Sequence, residues 1–231
     1  MLVTLGMMLN KDDQLKIIGI TGEAGSGKTT VTKLYAKSHN AYVILTDDVA
    51  RELMEPGTEC YKRVVQHFGE EILYSSFGMK ELEETDIEKT YVRPINRAIL
   101  ADIVFNDENE LKVLNSIVHS EVVSKVKSII TDIKSLNNDN NYGNIYSVIL
   151  LESAILFQVE DLVKLCDEIW YVEARDMDRR ERLKMEREYT DERIEAMSIS
   201  QECIRQNKDR CDKIIINDRD IAELDNLLSK M

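Results

Sequence analysis

Residues 22–29 read Gly22-Glu23-Ala24-Gly25-Ser26-Gly27-Lys28-Thr29, and no other stretch constrains the fold as strongly. The octet satisfies the pattern Gly-x4-Gly-Lys-Thr in full. Lys16-Ile-Ile-Gly-Ile-Thr21 runs into it as a short apolar segment with the character of a buried strand. From Gly27 to Ser38 the apolar positions Val31, Leu34 and Tyr35 recur at helical spacing, and Ala41-Tyr-Val-Ile-Leu-Thr46 reads as a second strand. Strand, glycine loop, helix and strand in that order predict a parallel pair joined by a right-handed crossover. The glycines permit backbone angles that other residues resist, so that N–H groups converge on a phosphate. The start of the helix adds its positive dipole end. Lys28 brings a full charge to the β- and γ-phosphates, and the Thr29 hydroxyl is a ligand for Mg²⁺. The implied cofactors are ATP and Mg²⁺, with Gly22, Glu23, Ala24, Gly25, Ser26, Gly27, Lys28, Thr29 and Thr30 as the nucleotide cradle and Thr29 as the metal ligand. The structural alternative is an ordinary glycine turn that caps a helix.

The remainder of the 231 residues alternates in the same manner, with one interruption. Between Asp47 and about Leu136 the pattern is mostly helical, broken at Pro56-Gly57, Phe68-Gly69 and Phe77-Gly78. Its clearest helix runs from Glu110 to Ile133, with Leu111, Leu114, Ile117, Val118, Val122, Val126 and Ile129 at helical period. An Asn-rich turn over Asn137–Asn144 follows. Strands are then predicted at Tyr146–Leu151, Glu168–Val172 and Lys213–Asn217, with a charged helical run over Asp176–Asp212 and a closing helix from Ile221. The prediction is an α/β protein of P-loop NTPase type, three layers around a mostly parallel five-stranded sheet. Its core is expected over 15–57 and 144–231, with a helical lid over about 175–205. An inserted helical subdomain that binds the acceptor is expected over 58–143. Residues 1–14 read as an N-terminal extension.

The net charge of −13 argues against nucleic acid and anionic membranes as partners. No segment has the apolar length to span a membrane. Cys60, Cys166, Cys203 and Cys211 show no C-x-x-C pairing, which suits separate thiols in a cytoplasmic protein. Oligomeric state has no sequence signature here.

Beyond the phosphate loop, the order of the blocks resembles the dephospho-coenzyme A kinase family over roughly residues 16–231. Where that family tends to carry G-G-I-G-S-G-K-S, this chain has Gly22-Glu23-Ala24-Gly25-Ser26-Gly27-Lys28-Thr29. Leu45-Thr46-Asp47-Asp48-Val49-Ala50-Arg51 and Pro56-Gly57 stand where the family has D-A-D-x-I-A-R and then P-G. Phe68-Gly69, Ile95-Asn96-Arg97 with Leu100 and Val104-Phe105, Val118-His119-Ser120, and Leu151-Glu152-Ser153 continue the series, as do Arg182-Leu183, Gln201 and Asp212 with Asn217. The chain departs from the pattern at Leu45 and Asn96, each in place of Asp, and at Ser120 in place of Pro. The resemblance implies transfer of the ATP γ-phosphate to the ribose 3′-hydroxyl of dephospho-coenzyme A. The three departures leave open a P-loop kinase for another nucleotide or nucleoside. A non-catalytic ATP-binding module is the third reading.

On this reading Lys28, Asp47 and Arg182 are catalytic. Asp47 follows the second strand and is the general base implied by the resemblance; the alternative role is a helix cap, for which Asp48 is the better candidate. Arg182, with Arg187 second, is the lid arginine expected to meet transferring phosphate, while most other arginines of the run read as a solvated face. Asp47, Arg51, Arg97 and His119 are the acceptor-binding candidates, the arginines suiting a diphosphate. Asn217, after the fifth strand, is expected near the adenine. Glu152, ending the third strand, is either a Walker-B-like carboxylate or a solvated strand end. Trp170 and Met197 read as core.

Overall fold

The structure is a computed structural model that describes residues 15–75, 93–138, 145–218 and 220–231. The expected extension over 1–14, the Phe77-Gly78 break and positions 139–144 of the Asn-rich turn lie outside these. In chain order the elements are β1 (Lys16–Thr21), α1 (Lys28–His39), β2 (Ala41–Leu45), α2 (Thr46–Leu53), α3 (Glu59–Phe68), α4 (Arg97–Asn106), α5 (Glu108–Asn138), β3 (Val148–Glu152), α6 (Glu160–Val163), β4 (Glu168–Glu173), α7 (Asp176–Arg187), α8 (Asp191–Ser200), α9 (Glu202–Gln206), β5 (Lys213–Ile216) and α10 (Ile221–Leu228). The chain forms two compact units, Met1–Leu45 with Ile130–Met231, and Thr46–Ile129.

The first unit holds a five-stranded sheet in the order β2-β3-β1-β4-β5. Every neighbouring pair is parallel, so the expected mostly parallel sheet is wholly so. Strand side chains alternate between faces. Ile18, Ile20, Val148, Leu150, Trp170, Val172 and Ile215 share one face and pack on Val31 and Tyr35 of α1 and on Leu224 and Leu228 of α10. The opposite face buries Ile17, Ile149, Leu151 and Ile169. Gly19 lies on that face against the segment before β4, where an added Cβ would come within 2.7 Å of Cys166 Sγ. Cover on both faces makes the three layers and explains the unbroken apolar strands. Each fully buried Ile or Leu contributes roughly 1.5–3 kcal/mol. Burial, helped by the Asp167 charge, pushes the Cys166 thiol up to about 12. All four cysteines are free thiols.

The strand register sets the level of the functional edge. Ile20 and Leu45 both pair with Glu152, so β1, β2 and β3 end level with one another. In an open parallel sheet this carboxyl edge is where ligands bind.

The second unit has its own core of Cys60, Tyr61, Val64, Phe68, Ile72, Leu73, Ile95, Leu100 and Ile117, with Leu53 and Met54 packed on it. Those last contacts join α2 to this unit, which therefore begins at Thr46, earlier than the insertion drawn from 58. An isolated antiparallel bridge pairs Leu73 with Ile95.

The expected helix over Glu110–Ile133 is found and is longer at both ends, and three other local expectations differ from the structure. Helix α5 runs unbroken from Glu108 to Asn138, past Ser120. Serine keeps the N–H that proline lacks, and its hydroxyl donates to Ile117 O at 2.9 Å. Asn137 belongs to this helix rather than to a turn, and its Oδ1 accepts from the N–H groups of Ile145 and Tyr146, both at 3.1 Å. The charged run after β4 is three helices. Glu188 takes a left-handed conformation with φ 55, and Thr190 then caps α8 by accepting from Arg193 N. Met197 is half-buried rather than core, whereas Trp170 is fully buried.

Candidate active site

The phosphate loop joins β1 to α1. Gly22, Gly25 and Gly27 have φ of 146°, 76° and 87°. A Cβ at Gly22 would lie 2.4 Å from the Val172 carbonyl oxygen, and one at Gly27 would lie 2.0 Å from Asn217 Nδ2. Helix α1 starts at Lys28 with no side-chain cap and no acidic residue in its first turn. Its positive end is therefore left to an anion. Lys28 Nζ arches back over the loop and donates to Gly22 O at 2.8 Å and Glu23 O at 3.0 Å. The Ser26 hydroxyl is buried and makes no hydrogen bond. Thr30 is exposed on the first turn of α1.

Thr29 Oγ1 donates to Glu152 Oε1 at 2.8 Å. The two residues come from the start of α1 and the end of β3, which the register sets beside β1. A hydroxyl beside a carboxylate is the oxygen pair that suits a hard divalent cation. Glu152 is thus engaged with the loop rather than being a solvated strand end. No cluster of three His, Cys, Asp or Glu residues fit for a metal occurs among the described residues.

The loop is braced from the helices after β4. Arg182 Nη1 donates to Gly25 O at 3.1 Å and Ser26 O at 3.4 Å, and its Nη2 to Asn217 O at 3.1 Å. Asn217 is buried, and its Nδ2 donates to Ser26 O at 2.8 Å. These bonds bring Arg182, Asn217 and the glycine loop together. A cavity of about 370 Å³ lies alongside, lined by Arg175, Arg182, Met185 and Asp218 among others. Arg187 is exposed.

Arg179 was not singled out by the sequence and fell within a run read mostly as a solvated face, which it is not part of. It is buried, with Nε donating to Ala24 O at 3.1 Å and Nη2 lying 3.0 Å from Glu23 Oε1. Gln201 Oε1 accepts from Ala24 N at 2.8 Å, and Arg205 Nη1 lies 3.5 Å from Glu23 Oε1. The available signal was position: Arg179 stands one helical turn before Arg182 and so shares its face. Burial, reinforced by the Glu23 and Glu173 charges, pushes the nearby Tyr171 hydroxyl pKa up and keeps it protonated.

The remaining candidates belong to the second unit. Asp47 is exposed in the first turn of α2, which begins at Thr46, so neither Asp47 nor Asp48 precedes the helix as a cap. Asp48 instead accepts from Arg51 Nη1 at 2.6 Å. Arg97 Nη2 donates to Arg51 O at 3.3 Å and lies 3.9 Å from Glu55, so Arg51 and Arg97 are brought together. Asn96 caps α4, its Oδ1 accepting from Ala98 N and Ile99 N. Asn and Asp cap equally well, so this departure from the family pattern leaves the local structure intact. His119 is half-buried on α5, and desolvation lowers its pKa toward a neutral imidazole.

An all-parallel sheet whose first strand enters a Gly-x4-Gly-Lys-Thr loop, with a hydroxyl–carboxylate pair beside it, defines a P-loop nucleotide-binding protein. A family model described as dephospho-CoA kinase matches residues 16–223. The chain belongs to the dephospho-CoA kinase family, whose members transfer phosphate to a hydroxyl. A dephospho-CoA kinase of Carboxydothermus hydrogenoformans is 33% identical over 73% of this chain and 69% of its own length. That of Oceanobacillus iheyensis is 29% identical over 93% of this chain and 96% of its own. The crystal structure of TT1252 from Thermus thermophilus shares the fold, with a TM-score of 0.68 at 23% identity, over 94% of this chain and 96% of that one. Among the described residues no helix is long and apolar enough to cross a membrane.

Proposed function

We propose that this chain performs the reaction its family is named for, moving the ATP γ-phosphate to the ribose 3′-hydroxyl of dephospho-coenzyme A in coenzyme A synthesis. The observation that carries the reading is the braced glycine loop with Lys28 above it and the Thr29–Glu152 pair beside it. The loop N–H groups from Gly22 to Thr30 and the positive end of α1 hold the β- and γ-phosphates, and the Lys28 charge offsets theirs. Arg182 orders the loop and Asn217, and the cavity that Arg182 and Asp218 line takes the adenosine. The segment over about 175–205 acts as the lid, and Arg187 is its free arginine.

Asp47 is the general base. Support comes from the chain path: it lies two residues beyond Leu45, and Leu45 is level with Glu152 at the sheet's carboxyl edge. Transfer moves the 3′-hydroxyl proton to Asp47 as the oxygen attacks the γ-phosphorus, and ADP leaves. Arg51 and Arg97, adjacent in the second unit, bind the acceptor diphosphate, and the neutral His119 is a hydrogen-bonding contact to the acceptor. The region 58–143 supplies the rest of the acceptor surface. Thr29 and Glu152 would hold Mg²⁺, which when bound neutralises phosphate charge. The free thiols suit a reducing compartment, and the cytoplasm is the proposed location.

Coupled ADP production with ATP alone, and with dephospho-coenzyme A or mononucleotides added, tests the assignment. Stimulation by dephospho-coenzyme A is expected. No stimulation, or stronger stimulation by a mononucleotide, overturns the acceptor.

A further inference from the structure

The second position of the phosphate loop carries a carboxylate. Glu23 stands where the family pattern quoted above has glycine. A negative charge in a loop that must hold a polyphosphate opposes its own ligand unless something neutralises it. The structure does so from two sides. Arg179 Nη2 lies 3.0 Å from Glu23 Oε1 with both side chains buried, and Arg205 Nη1 approaches the same oxygen at 3.5 Å. Arg179 makes two further contacts, Nε to Ala24 O at 3.1 Å and Nη1 to Asp176 Oδ1 at 3.2 Å. A guanidinium is suited to such planar, multidentate contact. Gln201 holds the preceding peptide by accepting from Ala24 N at 2.8 Å. The first turn of the loop is thus held at the Glu23 carboxylate, the Ala24 carbonyl and the Ala24 N–H.

We infer that Glu23 and Arg179 are a positioning pair for the ATP phosphates. Their buried ion pair fixes the Glu23–Ala24 peptide against α7, and so fixes where the loop N–H groups point. The pair acts on ATP through the loop rather than by touching it. The arrangement also restricts the lid. Arg179 and Arg182 on α7, and Gln201 and Arg205 further along, are all bound to the loop, so closing motion within the proposed lid belongs to the residues between them, where Met185 and Ile199 are 76% and 69% exposed. This inference rests on the nucleotide reading of the loop but not on the acceptor.

The test uses the full chain and a non-hydrolysable ATP analogue, with affinity read by calorimetry and turnover read separately. Arg179→Gln removes the clamp and leaves the Glu23 charge in the loop. We expect its Kd for the analogue and its KM for ATP to rise about tenfold, the loss of one charge-assisted bond. The KM for dephospho-coenzyme A should stay within about twofold. Adding Glu23→Gln to that variant should make binding no worse, since the partner is already gone, and should recover part of the loss by removing the charge. A role confined to folding would lower the melting temperature and the active fraction and leave Kd unchanged. Should Arg179→Gln fail to fold, Glu23→Gln alone carries the test, with a rise in Kd of roughly threefold or more. Unchanged affinity in the folded single variants, or strictly additive losses in the double variant, overturns the inference. Failure of the kinase reading shows differently, as wild-type protein that binds the analogue and makes no ADP with the acceptor.

Discussion

Gly27→Ala tests how closely the glycine loop and Asn217 depend on each other. Gly27 has φ 87°, where an L-residue carries a cost of about 1–2 kcal/mol. The new methyl would lie 2.0 Å from Asn217 Nδ2, an amide that is buried and bonded to Ser26 O at 2.8 Å. Displacing that amide leaves a buried polar group without its partner, at about 1–3 kcal/mol. Together the destabilisation is about 2–5 kcal/mol. For a chain of this size that lowers Tm by roughly 4–20 °C, measured by calorimetry. Gly57→Ala is the control, because Gly57 has a similar φ of 96° and nothing within 4 Å of its Cβ position. It should show the strain alone, about 1–2 kcal/mol. Adding Asn217→Ala to Gly27→Ala should relieve the clash, making the pair less costly than the sum of its parts. The reasoning is refuted if Gly27→Ala and Gly57→Ala lose the same stability, or if the Asn217 change adds its full cost.

Two further outcomes are expected. Asp47→Asn removes the proposed base and should lower kcat by about 10²–10⁴-fold with the KM for ATP little changed; a change confined to that KM would assign Asp47 elsewhere. Glu168 gives a pH signature: burial acts to raise its pKa, but hydrogen bonds from Lys16, Lys213 and Trp170 outweigh it and hold the carboxyl at about 2. A depressed pKa stabilises above the ordinary value near 4.5, and the contribution is lost as pH falls from there toward 2. Glu168→Gln should therefore be less stable at neutral pH and flatter across that acid window, read by denaturant unfolding at each pH.

The sequence carried the sheet and loop well because their determinants are local. Lys16–Thr21 is an apolar run stopped by glycine, and the strand has those bounds. Strand 5 and the crossover helix α1 follow from equally short-range patterns. Determinants that depend on what a residue meets in space were hidden. Arg179 looks like its neighbours in a charged run, and only folding puts it beneath the loop at Ala24 O. The continuity of α5 through Ser120 was legible, because the apolar period runs on through Val122, Val126 and Ile133, all buried. Helix α2 began earlier than expected, at Thr46, because its apolar face packs on the core around Tyr61 and Val64. That start moves Asp47 from a capping position into the first turn, where its carboxylate is exposed rather than engaged with the backbone.

The most direct test of the central claim is the identity of the phosphorylated product. Incubation with ATP and dephospho-coenzyme A, followed by mass spectrometry and phosphorus NMR, reports both the gain of one phosphate and its position. Equal yields of ADP and of an acceptor phosphorylated at the ribose 3′-hydroxyl are expected, with both lost in Lys28→Ala. ADP without a phosphorylated acceptor, or phosphate on a different hydroxyl, would contradict that claim.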